Sequence, residues 1–424
     1  MKITGNDDTL AVFVESALVG TLYNDQPLAF EYAAAATRAL TPEIPLQAGK
    51  INTSFVHAFF ENLLPEGDQR TLISLRHHAS SVFGMLAIIG GDTAGSTVLL
   101  PSGQLPQPAS YQRSSWEAVN ALLHGGDGAA GESGELAGGS ESGPRLLISG
   151  AQFKLLVSID PDDNPLLPLG NSPSTHILKP DMVRSDIKLF ASALNETIVM
   201  RAAHLCGLPT AAVRYRREVK ACLVERYDRY RDAAGVLRRH WQADFCQLSG
   251  KASDVKYEAD GGPTFAQCFA LLRTHSVLPA IDQRNLLRWL FFNLSVGNND
   301  SHAKNLSILA TPDGPRLAPF YDLMSTRVYA GLGKQFAFQI GGENLPGKIG
   351  APQVQSLATS LGVTPKYLLT IAGDMASKVD AAIALAANEI GRDLSPAEMV
   401  IAGRLQLKIA GIVKQMRTRI LSRC

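Results

Sequence analysis

The chain has 424 residues, 46% of them hydrophobic and 19% charged, enough to bury a large core spread over two or three domains. A formal net charge of +1 excludes a global attraction to nucleic acid or to an acidic membrane, so binding of either kind would need a local patch. No apolar run reaches the length of a membrane span and MKITGNDDTL lacks a signal-peptide core, while Cys206, Cys222, Cys246, Cys268 and Cys424 form an odd set without C-x-x-C spacing; together these point to a reducing cytoplasm rather than a zinc ribbon or a disulfide framework.

In chain order, Thr9 to Val14 and Ala17 to Tyr23 alternate apolar with other residues around Glu15-Ser16, the pattern of a β-hairpin, and Pro27 to Tyr32 offers a third strand. Helical spacing follows in Thr53 to Leu64, Asp68 to His78, Phe83 to Gly90 and Tyr111 to Leu123, which makes residues 1–123 a small α+β module. His124 to Pro144 is dense in Gly, Ala, Ser and Glu, too poor in large apolar groups to offset its ordering entropy, and reads as a flexible linker over 124–144.

The segment Arg145 to Lys154 then leads into a strand at Leu155 to Ile159. Its small-residue turn, Ser149, Gly150, Ala151, Gln152, Phe153 and Lys154, can offer backbone N–H groups to phosphates or form a tight hairpin without a ligand. Lys179 ends the strand Thr175 to Pro180. It could reach nucleotide phosphates, with Glu196 of the next helix to hold it, or be a solvated strand end. Strands at Ala211 to Arg216 and Lys220 to Val224 lead to Glu225, Arg226, Tyr227 and Asp228. An extended connector there can present backbone groups to an adenine edge and Asp228 to a ribose hydroxyl, or be a charged strand end.

The polar stretch the rest surrounds is Gly297 to Asn305, GNNDSHAKN, after a buried-helix pattern ending at Val296. Two strand-like segments, Leu306 to Leu309 and Arg316 to Pro319, join through Thr311-Pro312-Asp313-Gly314, with Asp322 just beyond. If they pair, Asn305 and Asp322 meet at one end and Asp300 looks across the same pocket. Phosphoryl transfer from ATP needs such a set: one carboxylate to accept the hydroxyl proton, and an amide with a second carboxylate to hold Mg²⁺. Asp300 fits the first role and Asn305 and Asp322 the second, with the D-x-x-x-x-N spacing of a kinase catalytic loop. The alternative is a loop whose Asp and Asn only satisfy backbone donors. Further on, FAFQIGG (Phe336 to Gly342) reads as a short ordered segment. Gln353 to Gly362, Pro365 to Ala387 and Pro396 to Cys424 have helical spacing.

FFENLLPEG, IGGDTAGS, ISGAQFK, HILKPD, LVERYDR, SDVKYEADGGP, GNNDSHAKNLS and PFYDLMS occur in the order, and over nearly the whole length, of the HipA-type serine/threonine kinases, toxins of bacterial HipBA toxin-antitoxin modules, which the chain resembles. The resemblance implies an α+β, protein-kinase-like (PI3/4-kinase-like) two-lobe fold with an extra N-terminal α+β subdomain, an ATP-binding N-lobe over 145–229 and a mostly helical catalytic lobe over 230–424. It implies ATP and Mg²⁺ as cofactors, Asp300 as catalytic aspartate with His302 and Lys304 helping with phosphate charge, Asn305 and Asp322 as metal ligands, and Lys179 on the nucleotide phosphates. The 148–154 turn would be the phosphate loop, the Glu225 to Tyr227 backbone the adenine hinge, and Asp228 would sit near the ribose.

The resemblance further implies a HipB-like helix-turn-helix antitoxin as partner, DNA contact only through that partner, no membrane, and a protein substrate of the aminoacyl-tRNA synthetase class, such as glutamyl-tRNA synthetase. Family members switch off by phosphorylating a serine in the phosphate loop. Here Leu147 holds the usual serine position and only Ser149 remains, so autoregulation either acts through Ser149 or is absent. A non-toxic corepressor of the same fold is the competing reading. A metallohydrolase built on Asp300 and His302 lacks further ligands at zinc spacing.

Overall fold

The structure, a computed structural model, describes residues 8–124, 146–147, 154–184, 187, 189–391 and 394–421. The chain divides into two compact units, one comprising 1–180, 216–219 and 223–253, the other 181–215, 220–222 and 254–424.

The first unit opens with β1 (Thr9–Val14), β2 (Ala17–Tyr23) and β3 (Ala29–Tyr32), close to the expected spans. Glu15 takes a left-handed conformation (φ +57°) in the two-residue turn, which lets Val14 pair with Ala17. Helices α1 (Ser54–Glu61), α2 (Gly67–His77) and α3 (Val82–Ile89) follow, α1 capped by Thr53 and α3 by Ser81. Strand β4 (Thr97–Pro101) returns antiparallel to β1, and the sheet order is β3-β2-β1-β4. Leu10, Val12, Leu22, Phe30, Phe59, Phe60, Leu86 and Leu99 form the core between this sheet and its helices.

The helix expected over Tyr111 to Leu123 is instead a strand, β5 (Ser110–Arg113), followed by α4 (Trp116–His124). The hydroxyl of Ser115 accepts the Ala118 N–H at 3.2 Å and so starts the helix only there. Strand β5 pairs with β8 (Pro165–Leu169), which the sequence reading did not contain. Two prolines in PLLPL disguise β8, and it meets β7 only through Ser158–Leu166 and Ile159–Pro165. In this second sheet β6 (Leu146–Leu147) and β9 (His176–Pro180) flank β7 (Lys154–Ile159).

Helix α5 (Ser192–Leu205) belongs to the second unit; β10 (Val213–Arg216) and β11 (Ala221–Glu225) follow it in the chain, and the strand order is β10-β11-β9-β7-β8-β5. A short hairpin, β12 (Arg229–Arg231) with β13 (Leu237–Arg239), then β14 (Gln242–Asp244) and α6 (Phe245–Leu248), complete the first unit. Helix α1 holds the α6 region: Gln247 donates to the Phe59 carbonyl at 2.8 Å, and buried Glu61 accepts from the N–H (2.8 Å) and hydroxyl (2.7 Å) of Ser253.

The second unit is helical around one hairpin. Helices α7 (Phe265–His275) and α8 (Pro279–Val296) lead to β15 (Ser307–Thr311) and β16 (Gly314–Leu317), paired from Ile308–Leu317 to Thr311–Gly314. Helices α9 (Ala351–Leu361), α10 (Pro365–Ile390) and α11 (Pro396–Met416) follow, the last continuing as a π turn over Arg417–Leu421. Proline at the first turn and side-chain caps from Thr364 and Ser395 start α10 and α11. Helix α10 packs against α5, α8, α9 and α11. No described helix is long and apolar enough to cross a membrane.

Candidate active site

The polar loop after α8 is pinned at its start by hydrogen bonds of its backbone and its asparagine side chains. Gly297 ends α8 at φ +70°, and a Cβ there would lie 2.8 Å from Ile412 Cδ1 and 3.0 Å from Arg327 Cδ. Its carbonyl accepts the Arg327 N–H and the Thr326 hydroxyl, both at 3.1 Å. Asn298 donates to Asn293 Oδ1 (2.8 Å) while its own Oδ1 accepts the Asp300 N–H (3.2 Å). The Asn299 N–H donates to Thr326 Oγ1 (2.9 Å) and its amide to the Gly333 carbonyl (2.9 Å).

From this fixed loop the Asp300 side chain projects with 56% of its surface exposed, unlike its buried neighbours Asn298, Asn299 and Ser301. The Tyr257 hydroxyl donates to Asp300 Oδ1, and the His302 ring sits edge-on to Tyr257 with centroids 5.2 Å apart, its Nε2 4.0 Å from Asp300 Oδ1. Asn305 closes the loop by donating its amide to the Asp300 carbonyl at 3.1 Å, which leaves its Oδ1 as an acceptor.

Asn305 and Asp322 both lie at the open end of the β15–β16 hairpin. Ala318 N–H donates to the Ser307 carbonyl, Phe320 N–H to Pro209, and the Tyr321 hydroxyl reaches the Lys304 carbonyl at 2.8 Å, so the residues preceding Asn305 and Asp322 are joined directly. Asp322 adopts a left-handed conformation (φ +59°), uncommon outside glycine and concentrated at sites the surroundings over-determine. Three residues on, Asn195 of α5 pins the same stretch of chain: its Oδ1 accepts the Ser325 N–H (2.9 Å) and its amide donates to the Ser325 carbonyl (3.0 Å). Asn195 is fully buried. Asp282, also buried, anchors the other side of the hairpin by accepting Arg316 at 2.8 and 2.9 Å and the Leu317 N–H at 2.9 Å.

Among the described residues no group of three or more His, Cys, Asp or Glu could hold a metal alone. One carboxylate and one amide oxygen are instead the hard, incomplete donor set that Mg²⁺ takes when phosphates and water fill its remaining positions. Asn305 and Asp322 therefore fit Mg²⁺, whereas Asp300 and His302 do not make a zinc site.

Tyr257 was not legible as functional from spacing, although it lies in SDVKYEADGGP. Its neighbour Glu258 accepts the N–H groups of Gln339 (3.0 Å) and Phe265 (3.3 Å), tying the Phe336 to Gly342 segment, itself mostly buried, to the same place. Removing the phenol hydroxyl in Tyr257→Phe is expected to lower kcat about three- to tenfold through looser orientation of Asp300, with ATP affinity unchanged. Steady-state kinetics with ATP varied check this, and a proportional rise in KM for ATP would count against it.

In the first unit, Lys179 is 5% exposed near the end of β9, and Lys154 opens β7 half-buried. Ser149, Gly150, Ala151, Gln152 and Phe153 lie outside the described residues. Glu196, expected to hold Lys179, is buried in α5. The extended connector expected after β11 is instead a turn at Tyr227 and Asp228: the Arg226 N–H donates to the Thr175 carbonyl at 2.9 Å and the Arg229 N–H to the Arg226 carbonyl at 3.3 Å.

Asp228, expected beside a ribose, is 4% exposed and accepts from Arg226 Nε (3.0 Å) and Nη2 (2.8 Å), Arg229 Nη1 (2.7 Å) and the Gly95 N–H (2.7 Å). Burial would raise its pKa, but Arg226 and Arg229 overcome this and hold it at about 2. Arg226 is equally buried. Burial opposes its charge, and Asp228 and Asp92 more than offset that, so its pKa lies above the ordinary arginine value. The carboxylate and the guanidinium neutralise each other inside the protein, because neither charge could be left alone there.

A sheet of strand order β10-β11-β9-β7-β8-β5, a helical unit, and a D-x-x-x-x-N loop leading through a hairpin to an aspartate define the α+β fold of the protein-kinase type. Comparison with known proteins places it more narrowly. Residues 10–100 match the model of the HipA N-terminal domain and residues 146–383 that of the HipA-like C-terminal domain, and the chain belongs to the HipA family. The protein named "Putative kinase Y4mE" from Sinorhizobium fredii is 37% identical over 84% of this chain and 86% of its own length. "Serine/threonine-protein kinase toxin HipA" of Shewanella oneidensis is 31% identical over 91% of this chain and 86% of its own. A solved structure of the Shewanella oneidensis HipA, HipB and operator DNA complex matches with a TM-score of 0.81 and 26% identity over 97% of this chain and 98% of that one.

Proposed function

We propose that this protein is an ATP- and Mg²⁺-dependent protein serine/threonine kinase, the toxin of a HipBA-like module. The observation that carries the reading is the loop from Gly297 to Asn305: a backbone bonded at nearly every residue presents one exposed carboxylate, Asp300, beside an amide and a second aspartate suited to Mg²⁺. Asp300 accepts the proton of a substrate serine or threonine hydroxyl, with Tyr257 fixing one carboxylate oxygen. His302 and Lys304 face the phosphate charge. Asn305 and Asp322 would hold Mg²⁺, which when bound neutralises charge on the transferring phosphate. Lys179, Lys154 and the 149–153 turn bind the ATP phosphates, and the backbone of Glu225 and Tyr227 reads the adenine edge.

The partner follows from the relative solved with HipB and its operator DNA. We take it to be a HipB-like helix-turn-helix antitoxin, with DNA reached only through that partner. The substrate class is an aminoacyl-tRNA synthetase, glutamyl-tRNA synthetase first, and the compartment the cytoplasm. A phosphate on Ser149 would add roughly −1.5 to −2 charges where ATP phosphates bind, so self-phosphorylation there would switch the enzyme off. Intact and peptide mass spectrometry after incubation with Mg-ATP tests this. One phosphate is expected at Ser149 in the wild type and none in Asp300→Asn. Equal phosphate on both proteins would remove Asp300 from the reaction.

A further inference from the structure

The first unit contains a buried ionic cluster that no role above uses in full. Asp92, in the Gly90–Ser96 turn after α3, has a side chain with no exposed surface. Its Oδ1 accepts Arg229 Nη2 at 2.8 Å and Arg239 Nη2 at 3.2 Å; its Oδ2 accepts the Ser174 N–H (3.0 Å), the Ser174 hydroxyl (2.8 Å) and Arg226 Nη1 (3.4 Å). The backbone of the same turn joins in. The Thr93 carbonyl accepts Arg226 Nη2 (2.8 Å) and Arg229 Nη2 (3.0 Å), the Gly95 carbonyl accepts Arg229 Nη1 (3.1 Å), and the Gly95 N–H donates to Asp228 (2.7 Å). Gly95 stands at φ +77°, and a Cβ there would come within 3.1 Å of the Gln242 backbone nitrogen.

Thus the side chains of Arg226, Asp228 and Arg229, which line the hinge on its inner side, converge on one turn of the N-terminal module rather than on their own sheet. Three guanidiniums face two carboxylates, an excess that burial and the nearby Arg226 make felt at Arg229, whose pKa falls to about 10. No carboxylate is redundant in such a cluster, because each guanidinium would otherwise be stranded without water. The hinge backbone is fixed by the same residues, through Arg226 N–H to Thr175 and His240 N–H to the Asp228 carbonyl (2.9 Å).

We infer that Asp92 is a positioning residue for nucleotide binding: the Gly90–Ser96 turn of the N-terminal module sets the path of the 225–229 hinge, and through it the affinity for ATP. This rests on the kinase reading above. The test is made on the full chain with Asp92→Asn, which keeps the shape and removes the charge, and with Ser174→Ala, which removes one donor and leaves every charge in place. Hydrogen exchange of amides 225–229 without nucleotide is expected to quicken in both variants. ATP affinity by calorimetry is expected to fall about tenfold in Asp92→Asn and two- to threefold in Ser174→Ala, with KM for ATP rising in step and kcat little changed. Asp92→Glu, which keeps the charge, is expected to recover part of the affinity. Unchanged exchange and affinity in folded Asp92→Asn would overturn the inference; if that variant does not fold, unchanged values in Ser174→Ala would. A wild type that binds no ATP would instead sink the kinase reading, while the exchange data would still decide whether the turn sets the hinge.

Discussion

Asp300→Asn is expected to give a folded protein that still binds Mg-ATP but transfers phosphate roughly a hundred- to ten-thousandfold more slowly. The general base of a kinase contributes on the order of 10² to 10⁴ in rate, and Asp300 is the exposed carboxylate of a loop otherwise tied down. The substitution is nearly isosteric. The Asp300 backbone bonds, N–H to Asn298 Oδ1 and carbonyl from the Asn305 amide, do not involve its carboxylate, so the loop should keep its shape. The thermal midpoint should move little. Labelled-phosphate transfer beside nucleotide titration separates the two effects, and loss of ATP binding would show that Asp300 supports the pocket instead.

The largest effect on stability is expected at Asp282, far from the reacting atoms in role but not in consequence. Asp282→Ala leaves the Arg316 guanidinium, the Leu317 N–H and the Ser276 hydroxyl without their shared carboxylate. Asp282 is buried but Arg316 keeps 25% of its side chain exposed, so the loss should lie below the roughly 3–5 kcal/mol of a fully buried pair. The hairpin that carries Asn305 and Asp322 should loosen with it, so denaturant midpoint and activity fall together. The pH dependence has a definite sign. Burial raises the Asp282 pKa, but Arg316, Ser276 and the Leu317 N–H outweigh it and hold the folded value below that of a free aspartate. Its contribution is therefore fully present above roughly pH 4, the unfolded aspartate value, and is lost as pH falls through the lower folded value. The stability gap between wild type and Asp282→Asn should shrink across that acid window. A gap that widens on acidification would reverse the assignment.

What the sequence made legible was local. The β1–β2 hairpin, the helices of the second unit and the β15–β16 hairpin each carry their period and turn residues in a contiguous stretch, and each formed close to the expected limits. Strand β8 was illegible because its prolines argue against a strand, and only pairing with β5 overrides them. The split of Tyr111 to Leu123 into strand and helix turned on one serine hydroxyl.

Within the candidate site, the D-x-x-x-x-N spacing carried Asp300 and Asn305. The residues that orient the site come from elsewhere in the chain. Tyr257 stands 43 residues from Asp300 and Asn195 130 residues from Ser325. No periodicity links such pairs. Asp228 shows the converse. Its place in the ERYDR run left open a ribose contact or a charged strand end, and its carboxylate is turned inward to Arg226 and Arg229 of the same run and to the N–H of the distant Gly95. Charge runs in sequence do not record which charges are neutralised by distant partners.

The most direct test of the kinase assignment is transfer of labelled γ-phosphate from ATP to protein. The purified chain, with Mg²⁺ and a bacterial extract supplemented with glutamyl-tRNA synthetase, is predicted to place label on serine or threonine of a protein substrate, and the label should vanish with EDTA and with Asp300→Asn. Absence of protein label under conditions where the chain demonstrably binds ATP, or label undiminished in Asp300→Asn, would contradict it.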